Sequence, residues 1–144
     1  MRKRATGIII ENGKILLIER MKYGQNYFML PGGGLEENET IEKALIREIK
    51  EELCLDVKKF HQLLVLEDIE VPQIMTIHAG NRNEYLFQID EYSGIPEIGG
   101  PEKERISAQN QYHIVWLNIE ELGSRENIYP QVVARKLLEA LIDN

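Results

Sequence analysis

Glu48, Glu51 and Glu52 crowd three carboxylates into one short stretch of the chain. On a helix, Glu48 and Glu52 stand one turn apart, and Glu48 and Glu51 are neighbours at spacing three. Like charges at these spacings repel and weaken a bare helix. A hard divalent cation turns that penalty into a binding site. Mg²⁺ prefers oxygen ligands, keeps several waters and reaches substrate phosphates. Mn²⁺ has compatible preferences. The chemistry open to such a site is the binding of a phosphorylated ligand through the cation. The plainer reading of the same residues is a solvent-facing acidic helix. The neighbours favour chemistry. Pro31-Gly32-Gly33-Gly34 lies just upstream, and a glycine run lets backbone approach another group closely. Glu39 lies one turn before Lys43 and two before Arg47. Arg47 could orient a glutamate, neutralise phosphate, or form an ordinary surface ion pair.

These groups need a helix and a loop held in place. Thr40 is a good N-cap and Glu42 suits a first turn, so the helix is expected over residues 40–53. Ile41, Leu45, Ile49 and Leu53 form its apolar stripe, with Ala44 and the three glutamates on a neighbouring arc. One flank packs on a sheet, and the other presents carboxylates to the glycine loop. Strands are expected at 5–10 and 14–18, joined by a turn at Asn12-Gly13. Another is expected at 27–30, stopped by Pro31, and further strands at 57–66, 84–89 and 112–117. Residues 69–83 are mixed, with an apolar run at 74–77. Residues 93–111 are rich in glycine, proline and charge and read as a long loop, expected to influence substrate choice more than fold. A second amphipathic helix is expected over 131–142, with Pro130 in its first turn and Val133, Leu137 and Leu141 near one face. The pattern implies one α/β domain spanning 1–144, a sandwich with a mixed sheet and two main helices.

The span from Gly33 to Leu55 closely resembles the signature of the Nudix hydrolase family. That pattern is Gly, five residues, Glu, seven residues, Arg-Glu, an aliphatic residue, one residue, Glu-Glu, one residue, Gly and an aliphatic residue. Gly33, Glu39, Arg47, Glu48, Ile49, Glu51, Glu52 and Leu55 match at the required intervals. The resemblance implies a Nudix-like α/β/α sandwich with a mixed β-sheet. It also implies hydrolysis of a nucleoside diphosphate linked to another moiety, or of a nucleoside triphosphate. On that basis Mg²⁺, or Mn²⁺, is expected on Glu48 and Glu52, with Glu51 as a further ligand or water-linked partner. A backbone carbonyl at Gly32 or Gly33 would add to the set. Arg47 joins the three glutamates as a catalytic candidate. Arg20, Gly32, Gly33, Gly34 and Glu39 are the candidates for substrate binding. The general base is expected among the signature glutamates, or at Glu102 or Glu104 on the long loop. Two positions depart from the pattern. Cys54 stands where the last signature glycine belongs, at a helix exit that often needs positive φ; it reads as a small, partly buried apolar residue rather than a reactive thiol. Asn38 replaces a glycine often found before the first glutamate, and asparagine tolerates left-handed backbone.

Other residues are less informative. Tyr27 or Phe28 could stack on a base, and strand alternation allows only one of them to face a pocket. His61, His78 and His113 are too dispersed to suggest a metal cluster. Trp116, in an apolar strand, reads as core.

Composition bounds the partners. The chain has 144 residues, 43% hydrophobic and 28% charged, with a formal net charge of −7. That composition favours a folded domain, and the acidic balance argues against a nucleic-acid partner. A nucleotide or nucleoside diphosphate-linked small molecule remains compatible, because a cation can invert the local field. A single cysteine allows no internal disulfide and suits a reducing, cytoplasmic setting. No apolar run is long enough for a membrane span. A homodimer is compatible with the sequence. The alternative to an enzyme is a non-catalytic nucleotide-binding module of the same fold.

Overall fold

Alternation of apolar side chains along the strands divides the core into two halves. The computed structural model describes residues 1–72 and 80–143, with backbone alone at 101 and 102. In chain order the first elements are β1 (Arg2–Ile8), β2 (Ile10–Glu11), β3 (Lys14–Lys22), β4 (Gln25–Met29), β5 (Gly32–Gly34) and α1 (Ile41–Leu53). They are followed by β6 (Asp56–Val71), β7 (Gly80–Ser93), α2 (Gly100–Glu104), β8 (Asn110–Asn118), α3 (Glu121–Ser124), β9 (Ile128–Tyr129) and α4 (Gln131–Ile142). One sheet has the order β5-β1-β7-β6 and the other β2-β3-β4-β9, with β8 also on β3. The β1/β7 and β4/β9 pairs are parallel and the rest antiparallel, so the sheets are mixed.

On β3, Leu16 and Ile18 pack with Ala44, Leu45, Ile49 and Leu53 of α1, while Ile15 and Leu17 pack with Val133, Ala134 and Leu137 of α4. Period-two alternation thus sends successive residues of one strand to opposite helices. The result is the expected α/β/α sandwich. Trp116 packs against the α1 half. No helix among the described residues is long and apolar enough to cross a membrane.

Several local expectations change. The strand expected at 5–10 divides into β1 and β2, and the Asn12-Gly13 turn follows β2 with both residues at positive φ. The glycine run is not irregular: Gly32–Gly34 pairs antiparallel with Arg4–Thr6. The strands expected at 57–66 and 84–89 are the centres of the longer β6 and β7. The apolar run at 74–77 lies outside the described residues. Pro130 does not enter the first turn of α4. It is the N-cap, with extended backbone (φ −69°, ψ 138°), and its carbonyl accepts from the Val133 and Ala134 N–H groups.

The expected long loop at 93–111 contains α2. Its first part holds the end of α1, since Glu97 N–H donates to the Leu53 carbonyl (3.1 Å) and Gly99 N–H to that of Glu52 (3.0 Å). Those carbonyls have no partner within the helix. The segment expected to influence substrate choice more than fold thus also serves the fold, at Glu97 and Gly99, by holding the end of α1.

Thr40 caps α1 as expected, accepting from the Lys43 N–H at 3.2 Å. At the other end Cys54 adopts left-handed backbone (φ 60°, ψ 30°) and donates its N–H to the Lys50 carbonyl. A Cβ is strained there, while glycine is not. Cys54→Gly should therefore leave turnover unchanged and raise stability by at most about 1 kcal/mol. Urea unfolding and steady-state rates check both halves of that expectation.

Candidate active site

Arg47 lies at the centre of the α1 carboxylates. Its Nε donates to Glu39 Oε2 at 2.8 Å, and its Nη2 to Glu39 Oε1 at 2.8 Å and to the Gly34 carbonyl at 3.0 Å. Its Nη1 donates to Glu48 Oε1 at 2.8 Å and to Glu51 Oε2 at 3.3 Å, and Glu36 lies 3.6 Å from the same nitrogen. The fork on Glu39 is bidentate, the geometry that suits guanidinium best. Every nitrogen of Arg47 is thus engaged, which favours orientation of glutamates over neutralisation of phosphate. Helical spacing explains the reach: Glu48 is adjacent in sequence and Glu51 lies one turn on. Glu39 reaches the same guanidinium from the loop before the helix. Asn38 just before it has φ 62°, the left-handed turn its side chain tolerates.

The glutamates are in unlike environments. The Glu39 carboxyl is held down to about 2, first by the Arg47 hydrogen bond and second by the Glu36 N–H. It is ionised at any physiological pH. Glu48 is pushed upward, chiefly by burial, against the opposing pull of Arg47. Glu51 is half exposed. Glu52 Oε1 accepts the Gly32 N–H at 3.1 Å.

The glycines set the approach of loop to helix. A Cβ on Gly33 would overlap the Glu48 carboxylate, 2.5 Å from each oxygen. A Cβ on Gly32, at φ +151°, would meet the backbone of Ala5 and lie 2.9 Å from Thr6 Cα. The two positions should respond differently to alanine. Gly32→Ala meets backbone that cannot move and should lower the thermal midpoint sharply. Gly33→Ala meets the far end of a flexible side chain, so the fold should survive while Glu48 is displaced and turnover falls at least about tenfold. Thermal unfolding and kinetics on both variants separate the cases.

The donors that face the glycine strand are carboxylate and backbone oxygens, the ligand chemistry of Mg²⁺ or Mn²⁺. With no Cβ at Gly33, the Glu48 carboxylate packs directly against the loop backbone, beside its peptide oxygens. The donor set therefore fits a hard cation. Among the described residues, however, no three His, Cys, Asp or Glu side chains are already gathered as a metal-ligand set. Arg47 supplies the positive charge at their centre.

The family model described as the NUDIX domain matches residues 1–140. This chain belongs to the NUDIX family. The curated relatives it matches align over a minority of their length. An RNA pyrophosphohydrolase of Marinomonas sp. is 46% identical over 50 residues, 35% of this chain and 31% of that protein. An ADP-ribose pyrophosphatase of Methanocaldococcus jannaschii is 49% identical over 59 residues, 40% of this chain and 34% of that protein. Among solved structures, a MutT NUDIX hydrolase from Burkholderia pseudomallei superposes with a TM-score of 0.71 at 23% identity, covering 96% of each chain. The E. coli ORF135 protein gives 0.71 at 22% identity, covering 99% of this chain and 89% of that one. These likenesses show the NUDIX fold.

Within that fold the other candidates are dispersed. Arg20 sits in the second sheet, its guanidinium 5.0 Å from the Tyr112 ring centroid, a cation–π contact rather than a place at the Arg47 cluster. Tyr27 packs edge-on against Tyr129, and Phe28 lies beneath Arg125. Glu104 is exposed on α2, and the Glu102 side chain lies outside the described residues. His61 pairs with Asp90, and His113 with Gln111.

Sequence reasoning missed a pocket of about 230 Å³ between β1, β7 and the start of α4, lined by Arg4, Thr6, Leu30, Arg82, Glu84 and Tyr129 among others. A signal for it did exist. Arg82 and Glu84 are in phase with Leu86 along β7, and all three are buried. Two charged residues at core-phase positions of a strand mark a buried polar site.

Proposed function

We propose that this NUDIX chain is a divalent-metal-dependent pyrophosphohydrolase. Its substrate would be a nucleoside triphosphate or a nucleoside diphosphate linked to another moiety. The observation that carries the reading is the Glu48 carboxylate lying against the Gly33 backbone, with Glu52 on the neighbouring Gly32 N–H.

Glu48 and Glu52 would hold the cation, with Glu51 and the Gly33 carbonyl as further oxygen donors. When bound, Mg²⁺ or Mn²⁺ supplies Lewis-acid polarisation of phosphoryl oxygens and a counter-charge for the leaving group. The chain's own residues do the positioning. Arg47 ties Glu39, Glu48 and the Gly34 carbonyl into one unit, so helix and loop keep a fixed separation. That makes Arg47 a positioning residue. The Gly32 N–H fixes the orientation of Glu52. The absence of a side chain at Gly33 lets the Glu48 carboxylate lie directly against the loop backbone. Such preorganisation reduces what the site must rearrange when charge develops on phosphorus.

The names of the curated relatives span RNA and ADP-ribose, which supports phosphoanhydride cleavage as the shared chemistry and leaves the leaving group open. The test is hydrolysis by the purified chain in Mg²⁺, with both phosphorylated products identified. Cleavage at a diphosphate supports the reading. Metal and nucleotide binding without turnover would favour the non-catalytic module instead.

A further inference from the structure

The pocket beside the glycine strand carries an unbalanced charge. Glu84 is 2% exposed and Arg82 7%. Arg82 Nη2 donates to Glu84 Oε1 at 2.6 Å, and Arg4 Nε approaches the same oxygen at 3.4 Å. Arg4 also donates to the Leu30 carbonyl at 2.8 Å and to Thr6 Oγ1 at 3.3 Å. One carboxylate thus serves two guanidiniums. Among the described residues, Glu84 is the sole acidic residue of the pocket lining. The buried Nε–H of Arg82 has no acceptor among the described residues. A buried charge without full compensation is costly, and an orphaned buried donor adds to that cost. In a chain of net charge −7, a buried arginine cluster around one carboxylate requires an account.

The cluster adjoins the proposed reaction site. Arg4 and Thr6 stand opposite Gly34 and Gly32 in the β1/β5 register. Leu30, whose carbonyl fixes Arg4, precedes that glycine strand by two residues. We propose that the pocket walled by Arg4, Arg82 and Glu84 is an anion subsite that takes a phosphoryl group of the substrate, distinct from the one presented to the α1 carboxylates. Glu84 holds the two guanidiniums and compensates one of them. The incoming oxyanion compensates the other, in the geometry guanidinium favours for phosphate. Burial and, second, the Arg4 charge push Arg82 downward in proton affinity, the strain that an anion would relieve. The subsite would make the enzyme prefer substrates with charge on both sides of the scissile bond. The substrate assignment rests on the hydrolase reading above; anion binding at the cluster does not.

Inorganic phosphate titrated into the full chain in EDTA tests it, read by NMR at the arginine Nε–H resonances. A saturable shift of the Arg82 resonance is expected, retained in Glu48→Gln. The double variant Arg82→Met/Glu84→Leu removes both buried partners together, and its phosphate affinity should fall at least about tenfold. Should that variant fail to fold, Arg4→Met must weaken binding in the same direction. No saturable shift through the millimolar range would overturn the proposal. So would a response confined to the Arg47 Nε–H, at the α1 carboxylates. A second arm adds phosphate to the Mg²⁺-loaded enzyme during turnover. Competition that raises KM and leaves kcat unchanged assigns the anion to the substrate, and a fall in kcat alone makes it a separate effector and overturns that assignment. If phosphate binds at Arg82 but no nucleotide is hydrolysed, the anion site stands and the hydrolase reading fails.

Discussion

Glu48→Gln should lower turnover at least about a hundredfold, roughly 3 kcal/mol of lost transition-state stabilisation, while leaving the protein folded. Glutamine keeps the length and shape of glutamate and can still accept from Arg47 Nη1, now 2.8 Å from Glu48 Oε1. What it removes is the charge that a cation needs. Stability should hold or rise slightly at neutral pH. Burial already penalises the ionised Glu48 carboxyl and pushes it upward. A carboxyl raised in the folded state costs stability as pH climbs through its folded value, and glutamine carries no such cost. The repulsion between Glu48 and Glu51 also falls. Glu52→Gln should behave alike, since an amide oxygen can keep the Gly32 N–H. Circular dichroism, thermal unfolding and saturating-substrate rates check each part. If either variant folds and keeps parental turnover in the same metal, that residue does not hold the cation.

Removal of divalent cations should abolish turnover altogether, and Mg²⁺ or Mn²⁺ should restore it. The charges around Arg47 give the reason. Glu36, Glu39, Glu48 and Glu51 all lie within salt-bridge distance of one guanidinium. The donors of that guanidinium are already committed, so a diphosphate arriving at the glycine strand would meet excess negative charge. A cation between carboxylates and phosphate reverses that field. Cation binding to the native state should also raise the thermal midpoint by mass action, more in the parent than in Glu48→Gln. Undiminished turnover after verified metal removal would mean that another group offsets the phosphate charge.

The chemistry of α1 was legible because helical spacing is rigid. Given Thr40 as cap and the stripe Ile41, Leu45, Ile49 and Leu53, the relative positions of Glu48, Glu51 and Glu52 follow from geometry. The positive φ at Cys54 and Asn38 was likewise readable from what each replaced. The Arg47 cluster was only half readable. Helical spacing put glutamates within reach of Arg47 but left open whether the guanidinium faced carboxylate or phosphate, a question of side-chain direction. The strand character of Gly32–Gly34 was hidden, because three glycines carry no alternation and the pairing with β1 is long-range. The anchoring of α1 by Glu97 and Gly99 was hidden for a related reason. It uses backbone N–H groups, which any residue but proline can supply. Arg4, Arg82 and Glu84 were missed because charge reads as surface unless its phase within the strand is followed.

The most direct measurement is ³¹P NMR of products formed by the purified chain in Mg²⁺ from a panel of nucleoside triphosphates and nucleoside diphosphate-linked molecules. A nucleoside monophosphate together with pyrophosphate or a phosphorylated partner is expected from at least one of them, formed at least about a hundredfold more slowly by the Glu48→Gln protein. Intact substrate throughout the panel, in a folded protein that binds Mg²⁺, would contradict that expectation.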